Sequence, residues 1–170
     1  MTSRKLDLAF HHKLSSIYVY VYTRYVEIVP FMSIVWNRGR KCELCPRIKE
    51  GNNFRSSYTG KSYTIRHNLT CKSKYCVYLI TCRKCQKQYV GKSINHMHTR
   101  HGGHRYEIDN QTSELGVHFT ECGLEQLELQ IIDCVKVGRD MALIQLEGVW
   151  QTRLATFQVH GNINIRNELR

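Results

Sequence analysis

The stretch VYLITCRKCQKQYVG, residues 77–91, decides the fold of the central part of the chain. Residues 77–81 are rich in β-branched and aromatic side chains and predict a short strand, and residues 88–91 predict another. The segment between them, 82–87, has a length that suits a hairpin connection. The sequence therefore predicts an antiparallel strand pair whose turn carries a Cys-x-x-Cys motif.

Helical and strand patterns follow this hairpin. We expect a helix over residues 94–109 with Ser93 as its N-cap, and a second, short helix over 113–120. Residues 127–132 alternate between apolar and polar side chains and predict a third strand, and the apolar spacing over 139–154 predicts a last helix. The expected fold class is α/β, of the α+β type: a small three-stranded antiparallel sheet flanked by helices and preceded by a Cys-rich basic module.

Basic residues are concentrated in the middle of the chain. The 170 residues carry a formal charge of +11, with 14 Lys or Arg and 4 Asp or Glu over residues 41–110, against 5 and 8 over residues 111–170. We expect three parts: a leader of unclear structure (1–40), the Cys-rich basic module (41–74) and the domain that contains the sheet (75–170). The local excess of positive charge predicts a polyanionic partner.

Eight cysteines are many for a chain of this length, and two pairs have the Cys-x-x-Cys spacing. No secretory signal pattern opens the sequence, and the uncharged stretch 14–23 is shorter than the roughly 20 residues of a membrane span. Paired cysteines without a secretory route favour metal ligation over disulfides. We expect a nuclear or cytoplasmic protein, not a secreted one, with no membrane partner.

The order of these motifs resembles the GIY-YIG endonuclease family. Its two tyrosine triplets correspond to residues 76–78 and 89–91, its helix arginine to Arg100 and its helix glutamate to Glu147. The chain is more closely similar to the endonuclease of Penelope-like retroelements, and the resemblance covers roughly residues 41–166. The residues that carry this closer similarity are Cys71-Lys72-Ser73, Val77-Tyr78-Leu79-Ile80, Cys82 and Cys85, Gln88-Tyr89-Val90-Gly91-Lys92, Arg100 with His104, Val117-His118-Phe119, and Glu147 with Trp150.

The resemblance implies a catalytic role for six residues. Tyr78 is the expected general base, Tyr89 positions water or phosphate, and Arg100 grips the scissile phosphate. Glu147 is the expected ligand of a catalytic Mg²⁺ or Mn²⁺ ion, which such a sparse carboxylate site suits. His104 follows Arg100 by one helical turn. Asn164 corresponds to the terminal asparagine of the family, with Asn162 as the alternative.

Cys82 and Cys85 form half of a zinc site on spacing alone, because a structural zinc ion takes four N or S ligands. The resemblance implies a Cys-Cys-His-His site, for which His104 and His118 are the expected partners. If His104 binds zinc, it is not free to contact the substrate. Three further histidines of the same region remain alternatives: His96, His98 and His101.

The other cysteines fall into two groups. A second zinc site is expected from Cys42, Cys45, Cys71 and Cys76. Cys122 and Cys134 are expected to be buried small hydrophobic residues.

The expected function is metal-dependent nicking of DNA by phosphodiester hydrolysis in the service of retroelement insertion, with structural Zn²⁺ and no small-molecule cofactor. A reverse transcriptase is the expected partner in the parent element. The alternative is a catalytically inactive zinc-binding module that holds nucleic acid; a redox protein is less favoured, because it needs a Cys-x-x-Cys pair at a helix N-terminus. The residues expected to bind DNA are Lys84, Lys87, Lys92, Arg100 and Arg105.

Overall fold

A three-stranded antiparallel sheet forms the centre of the protein, which we describe from a computed structural model over residues 42–165. The predicted leader, 1–40, lies outside the described residues. Strand β3 (Cys76–Cys82) is central, with β4 (Gln88–Ser93) on one side and β5 (Leu127–Cys134) on the other. The prediction of an α+β fold with a small antiparallel sheet and flanking helices is confirmed.

Three helices cover the two faces of this sheet. Helix α1 (Met97–Asn110) and helix α2 (Glu114–Cys122) pack on one face, where the even-numbered residues of β3, such as Tyr78 and Ile80, point. Helix α3 (Asp140–Leu154) packs on the other face, against Val77 and Leu79. Since successive residues of a strand point to opposite faces, β3 is buried on both sides. No helix of the described residues combines the length and apolar character needed to cross a bilayer.

The segment upstream of the sheet shares its core with the sheet. It contains a short hairpin of β1 (Asn53–Arg55) and β2 (Ser62–Thr64), whose Phe54 is buried among residues of the α3 face. Leu44 is buried on the α1–α2 face. The Cys-rich basic segment therefore contributes buried side chains to both faces of the sheet.

One predicted helix start differs from the structure. Ser93 is the last residue of β4, and its hydroxyl donates to the carbonyl of Asn95, so that α1 begins only at Met97, after His96. The start of α2 is as predicted: Ser113 is the N-cap, and its Oγ accepts a hydrogen bond from the Gly116 N–H.

Candidate functional site

The strand register places the two tyrosines on the same face of the sheet. Tyr78 lies opposite Gly91, and Tyr89 lies opposite Ile80, so the tyrosines are diagonal neighbours with ring centroids 6.5 Å apart. Gly91 is the residue that makes room for them, because a Cβ atom there would lie 2.6 Å from Tyr78 Oη and 2.7 Å from Tyr89 Cε1. The third residue of the second tyrosine motif is therefore a steric requirement of the site.

Helix α1 brings Arg100 and His104 to the buried hydroxyl of Tyr78. The two residues are one turn apart and face the same side of the helix. Arg100 Nε donates to Tyr78 Oη at 3.1 Å, and His104 Nε2 lies 2.8 Å from the same oxygen. The structure thus brings together Tyr78, Tyr89, Arg100 and His104.

Glu107, which the sequence analysis missed, completes this cluster. Its Oε1 accepts from Arg100 Nη1 at 2.9 Å, and its Oε2 lies 3.2 Å from His104 Nδ1. The Ser113 hydroxyl donates to Oε2 as well, at 3.1 Å. The spacing of three residues from His104 was the available signal, since such residues are neighbours on a helix.

Burial and charge shift the ionisation of this cluster. Burial raises the pKa of Tyr78, with Tyr89 adding to the effect and Arg100 opposing it. Burial also lowers the pKa of His104, so its imidazole is neutral at pH 7. The hydrogen bond with His104 is the main cause that lowers the pKa of Glu107 to about 2, although burial opposes it. The resting cluster is a neutral phenol, a neutral imidazole and a carboxylate.

Glu147 lies on the other face of the sheet from the tyrosines. It lies on α3 and forms an ion pair with Lys92, which alternates to that face of the edge strand β4. Burial raises the pKa of Tyr89, Arg100 opposes this effect, and the charge of Glu147 adds to it. The Glu147 carboxylate is thus bound to Lys92 on the face of the sheet opposite the one that carries the tyrosines.

Asn164 and Asn162 bind backbone rather than facing an open site. Asn164 Oδ1 accepts from the Val90 N–H at 2.8 Å, and its Nδ2 donates to the Val90 carbonyl at 2.9 Å. Asn162 Oδ1 accepts from the Gln88 N–H at 2.8 Å, and its Nδ2 donates to the Ala155 carbonyl. Both asparagines therefore fix the position of β4, and they do so through the same kind of backbone contact.

A group of four side chains that could hold a metal ion lies at the hairpin turn. It consists of Cys82, Cys85, His118 and Cys122. The two cysteines come from the end of β3 and its turn, and the other two residues are four apart on one face of α2. The structure does not bring His104 into this group, because its ring packs against Tyr78, and Cys122 occupies the fourth place. Cys122 is thus a candidate ligand and not a buried hydrophobic residue.

Hydrogen bonds at the hairpin turn also lower the pKa of the Cys82 thiol. Burial alone raises the pKa of this thiol, but hydrogen bonds from the backbone N–H groups of Cys85 and Lys84, together with the Cys85 and Cys122 side chains, hold it below its ordinary value. Thiolates are the metal-binding form of cysteine. The Cys85 Sγ atom lies 3.5 Å from His118 Nε2, which leaves the two donors close enough for one ion.

A second group of possible metal ligands contains Cys42, Cys45 and Cys71. Burial raises the pKa of Cys42, but hydrogen bonds with the Cys45 side chain and with the backbone N–H groups of Cys45 and Leu44 hold it below its usual value. Cys76, the fourth cysteine predicted for this site, is not in the group. It is a fully buried residue of β3 that pairs with Cys134 across the sheet.

The five basic residues predicted to bind DNA differ in their surroundings. Lys84 and Lys87 are exposed at the hairpin turn, beside the first group of metal ligands. Arg105 and Lys92 form ion pairs with Glu43 and Glu147 respectively. Arg100 belongs to the tyrosine cluster.

Comparison of the chain with family models, with curated proteins and with solved structures finds no match. What the site does must therefore be inferred from its own residues.

Proposed function

We propose that the chain is a metal-dependent DNA endonuclease of the GIY-YIG type, derived from a retroelement of the Penelope-like kind. The observation that carries this proposal is the convergence on one buried oxygen, Tyr78 Oη, of an arginine and a histidine from α1. The Tyr89 ring lies beside that of Tyr78, and the charge of Glu147 acts on Tyr89. Taken alone, each of these residues could be an ordinary strand aromatic or a solvated surface charge. Residues of that kind would not be expected to meet at a single buried hydroxyl.

Phosphodiester hydrolysis needs a proton acceptor for the attacking water and cations for the phosphoryl oxygens. In the proposal, Tyr78 takes the proton of the water, and Tyr89, which is partly exposed, orients that water or the phosphate. Arg100 has five N–H donors, so it can bind a phosphate oxygen in addition to Tyr78 and Glu107. Its planar fork suits phosphate better than a lysine ammonium would.

The carboxylate of Glu147 fits a Mg²⁺ or Mn²⁺ ion. It is a hard oxygen donor, mostly buried, with 15% of its side chain exposed at the edge of the sheet. Mg²⁺ combines one or two carboxylates with water and substrate phosphate oxygens. When bound, such an ion supplies charge stabilisation to the phosphoryl and leaving oxygens.

Structural zinc is the second metal of the proposal. Three sulfurs and one imidazole nitrogen at the hairpin turn are a typical tetrahedral zinc set, and Cys42, Cys45 and Cys71 supply three ligands of another. All eight cysteines are free thiols, which agrees with a reducing compartment, nuclear or cytoplasmic. The exposed Lys84 and Lys87 beside the first set are the proposed contacts to the DNA backbone.

A plasmid-nicking assay tests the proposal. The protein should convert supercoiled DNA to open circles in Mg²⁺ or Mn²⁺ and not in chelator. Glu147→Gln removes the charge and keeps the size, so we expect it to abolish nicking while DNA affinity stays within about twofold, since phosphate contacts come from Lys and Arg. Glu50→Gln, the same change at an exposed position, is the matched control and should nick like the parent.

The ion pair of Lys92 with Glu147 favours one alternative, a catalytically inactive zinc-binding module that holds nucleic acid. In that case Lys92 permanently replaces the divalent cation. The same assay decides between the two functions: a parent protein that binds DNA and nicks it under no divalent metal supports the inactive module.

A further inference from the structure

The carboxylate of Glu107 contacts both residues that hold the Tyr78 hydroxyl. It binds Arg100 through Oε1 and His104 through Oε2, at 2.9 and 3.2 Å. The His104 side chain is fully buried, and only 20% of the Glu107 side chain is exposed. Ser113, the N-cap of α2, donates to the same carboxylate. Glu107 is therefore fixed from two helices.

These contacts determine where the protons lie. An ionised carboxylate only accepts hydrogen bonds, so the Nδ1 atom of His104 must carry the hydrogen that it shares with Glu107. The neutral imidazole then has its lone pair on Nε2, and Tyr78 Oη donates to it. Arg100 Nε donates to the same oxygen from another direction.

We propose that Glu107 is a positioning residue of the proposed nicking reaction, and that it fixes His104 in the Nδ1–H tautomer as the acceptor of the Tyr78 proton. The inference rests on the proposed function. As Tyr78 Oη takes a proton from the attacking water, its own O–H bond breaks and an Nε2–H bond forms on His104. The water oxygen bonds to phosphorus, the bond from phosphorus to the leaving oxygen breaks, and that oxygen takes a proton from solvent.

This route explains how a buried tyrosine can act as a base. Burial disfavours a free phenolate at Tyr78, but paired proton transfers keep the phenol neutral throughout. The charge appears on the imidazole of His104 instead, where the Glu107 carboxylate balances it. Tyr78, His104 and Glu107 thus form a series of hydroxyl, imidazole and orienting carboxylate, as in catalytic triads, but here the hydroxyl takes a proton from water and is not itself the nucleophile.

Two measurements on the full, zinc-loaded chain test the inference. Two-bond ¹H–¹⁵N correlation spectra of [¹⁵N]histidine-labelled protein, assigned with His104→Gln, should show His104 in the Nδ1–H tautomer. Arg100 and His104 bind different oxygens of the Glu107 carboxylate. In Glu107→Gln one of these positions is taken by an –NH2 group, which only donates, so we expect a mixture of tautomers or the Nε2–H form. Asp109→Asn, which removes an exposed charge from the same helix, should leave the tautomer unchanged.

The second measurement is the nicking rate at saturating DNA. We expect Glu107→Gln to lower kcat by about 10- to 100-fold, a part of what general acid–base catalysis contributes. The Kd for DNA should stay within about twofold, and Asp109→Asn should match the parent in both. If Glu107 had a merely structural role, Glu107→Gln would leave the His104 tautomer unchanged and would not lower kcat on its own.

The inference is overturned if His104 of the parent is in the Nε2–H tautomer, or if Glu107→Gln nicks as fast as the parent. The parent tautomer does not depend on whether the variant folds. A parent that shows the Nδ1–H form but cuts no DNA overturns the proposed function instead, and supports the part of the inference in which Glu107 sets the tautomer.

Discussion

At the scale of single residues, Gly91 is the position where the smallest change should have the largest effect on the site. We expect Gly91→Ala to destabilise the protein by about 1–3 kcal/mol, as overpacking does in well-packed cores. The new methyl group would meet Tyr78 Oη, which is buried and held by Arg100 and His104, so the ring cannot rotate away. Urea unfolding measures the loss, and nicking should fall with it.

Gly102→Ala is the control for this substitution. Gly102 lies within α1, and a Cβ atom there would have nothing within 4 Å. Alanine should therefore stabilise the helix by about 0.5–1 kcal/mol. Equal and small effects of the two variants would show that the tyrosines are not packed as described.

At the scale of elements, the hairpin turn and α2 are joined by the first group of possible metal ligands. If zinc binds there, Cys122→Ser should release about one equivalent of zinc and lower the thermal midpoint of unfolding, because binding energy at a structural zinc site is folding energy. His104→Gln should keep the metal, since His104 contacts Tyr78 and Glu107 instead. Elemental analysis and thermal unfolding measure both quantities.

Cys134→Ser provides the matched control, as Cys134 is outside both groups of possible ligands among the described residues. It should retain all the zinc. Loss of zinc from His104→Gln, with retention in Cys122→Ser, would favour the Cys-Cys-His-His set that the sequence predicted.

The periodicity of apolar residues predicted the strands and helices well. Most of the features that it did not predict depend on contacts between residues far apart in the sequence. The apolar alternation of 127–132 and the helical spacing of 139–154 gave β5 and α3 nearly to their ends. The spacing of His118 and Cys122 by four residues was a usable sign of a shared helix face, but a cysteine is also a common core residue. The backbone contact of Asn164 could not be predicted from sequence, since its partner Val90 lies 74 residues away.

At the scale of the whole molecule, stability should depend on pH through His101. This histidine of α1 is 2% exposed, and neither ring nitrogen has a hydrogen-bond partner among the described residues. Burial is the main cause that lowers its pKa to about 4, and the nearby Arg47 adds to it. Below pH 6.5 the unfolded chain therefore binds a proton that the native protein does not, so the free energy of unfolding falls as the pH drops from 6.5 towards 4.

His101→Leu removes this titration and an unpaired polar group together. Above pH 7 we expect the variant to be more stable than the parent by about 1 kcal/mol, because a buried polar group without a partner is costly. Between pH 7 and 4 the parent should lose stability relative to the variant by up to about 3 kcal/mol, given 1.36 kcal/mol per pKa unit. Protonation of the other titratable groups affects both proteins equally, so it cancels in the difference.

His101→Gln separates the two contributions, because glutamine remains polar but does not titrate. It should flatten the pH dependence as His101→Leu does, without the gain in stability above pH 7. Urea unfolding of the three proteins at a series of pH values from 7.5 to 4 measures both effects. Parallel curves for parent and both variants would mean that the His101 imidazole is protonated equally in the native and unfolded states, and hence that it has a polar partner or access to water in the native protein.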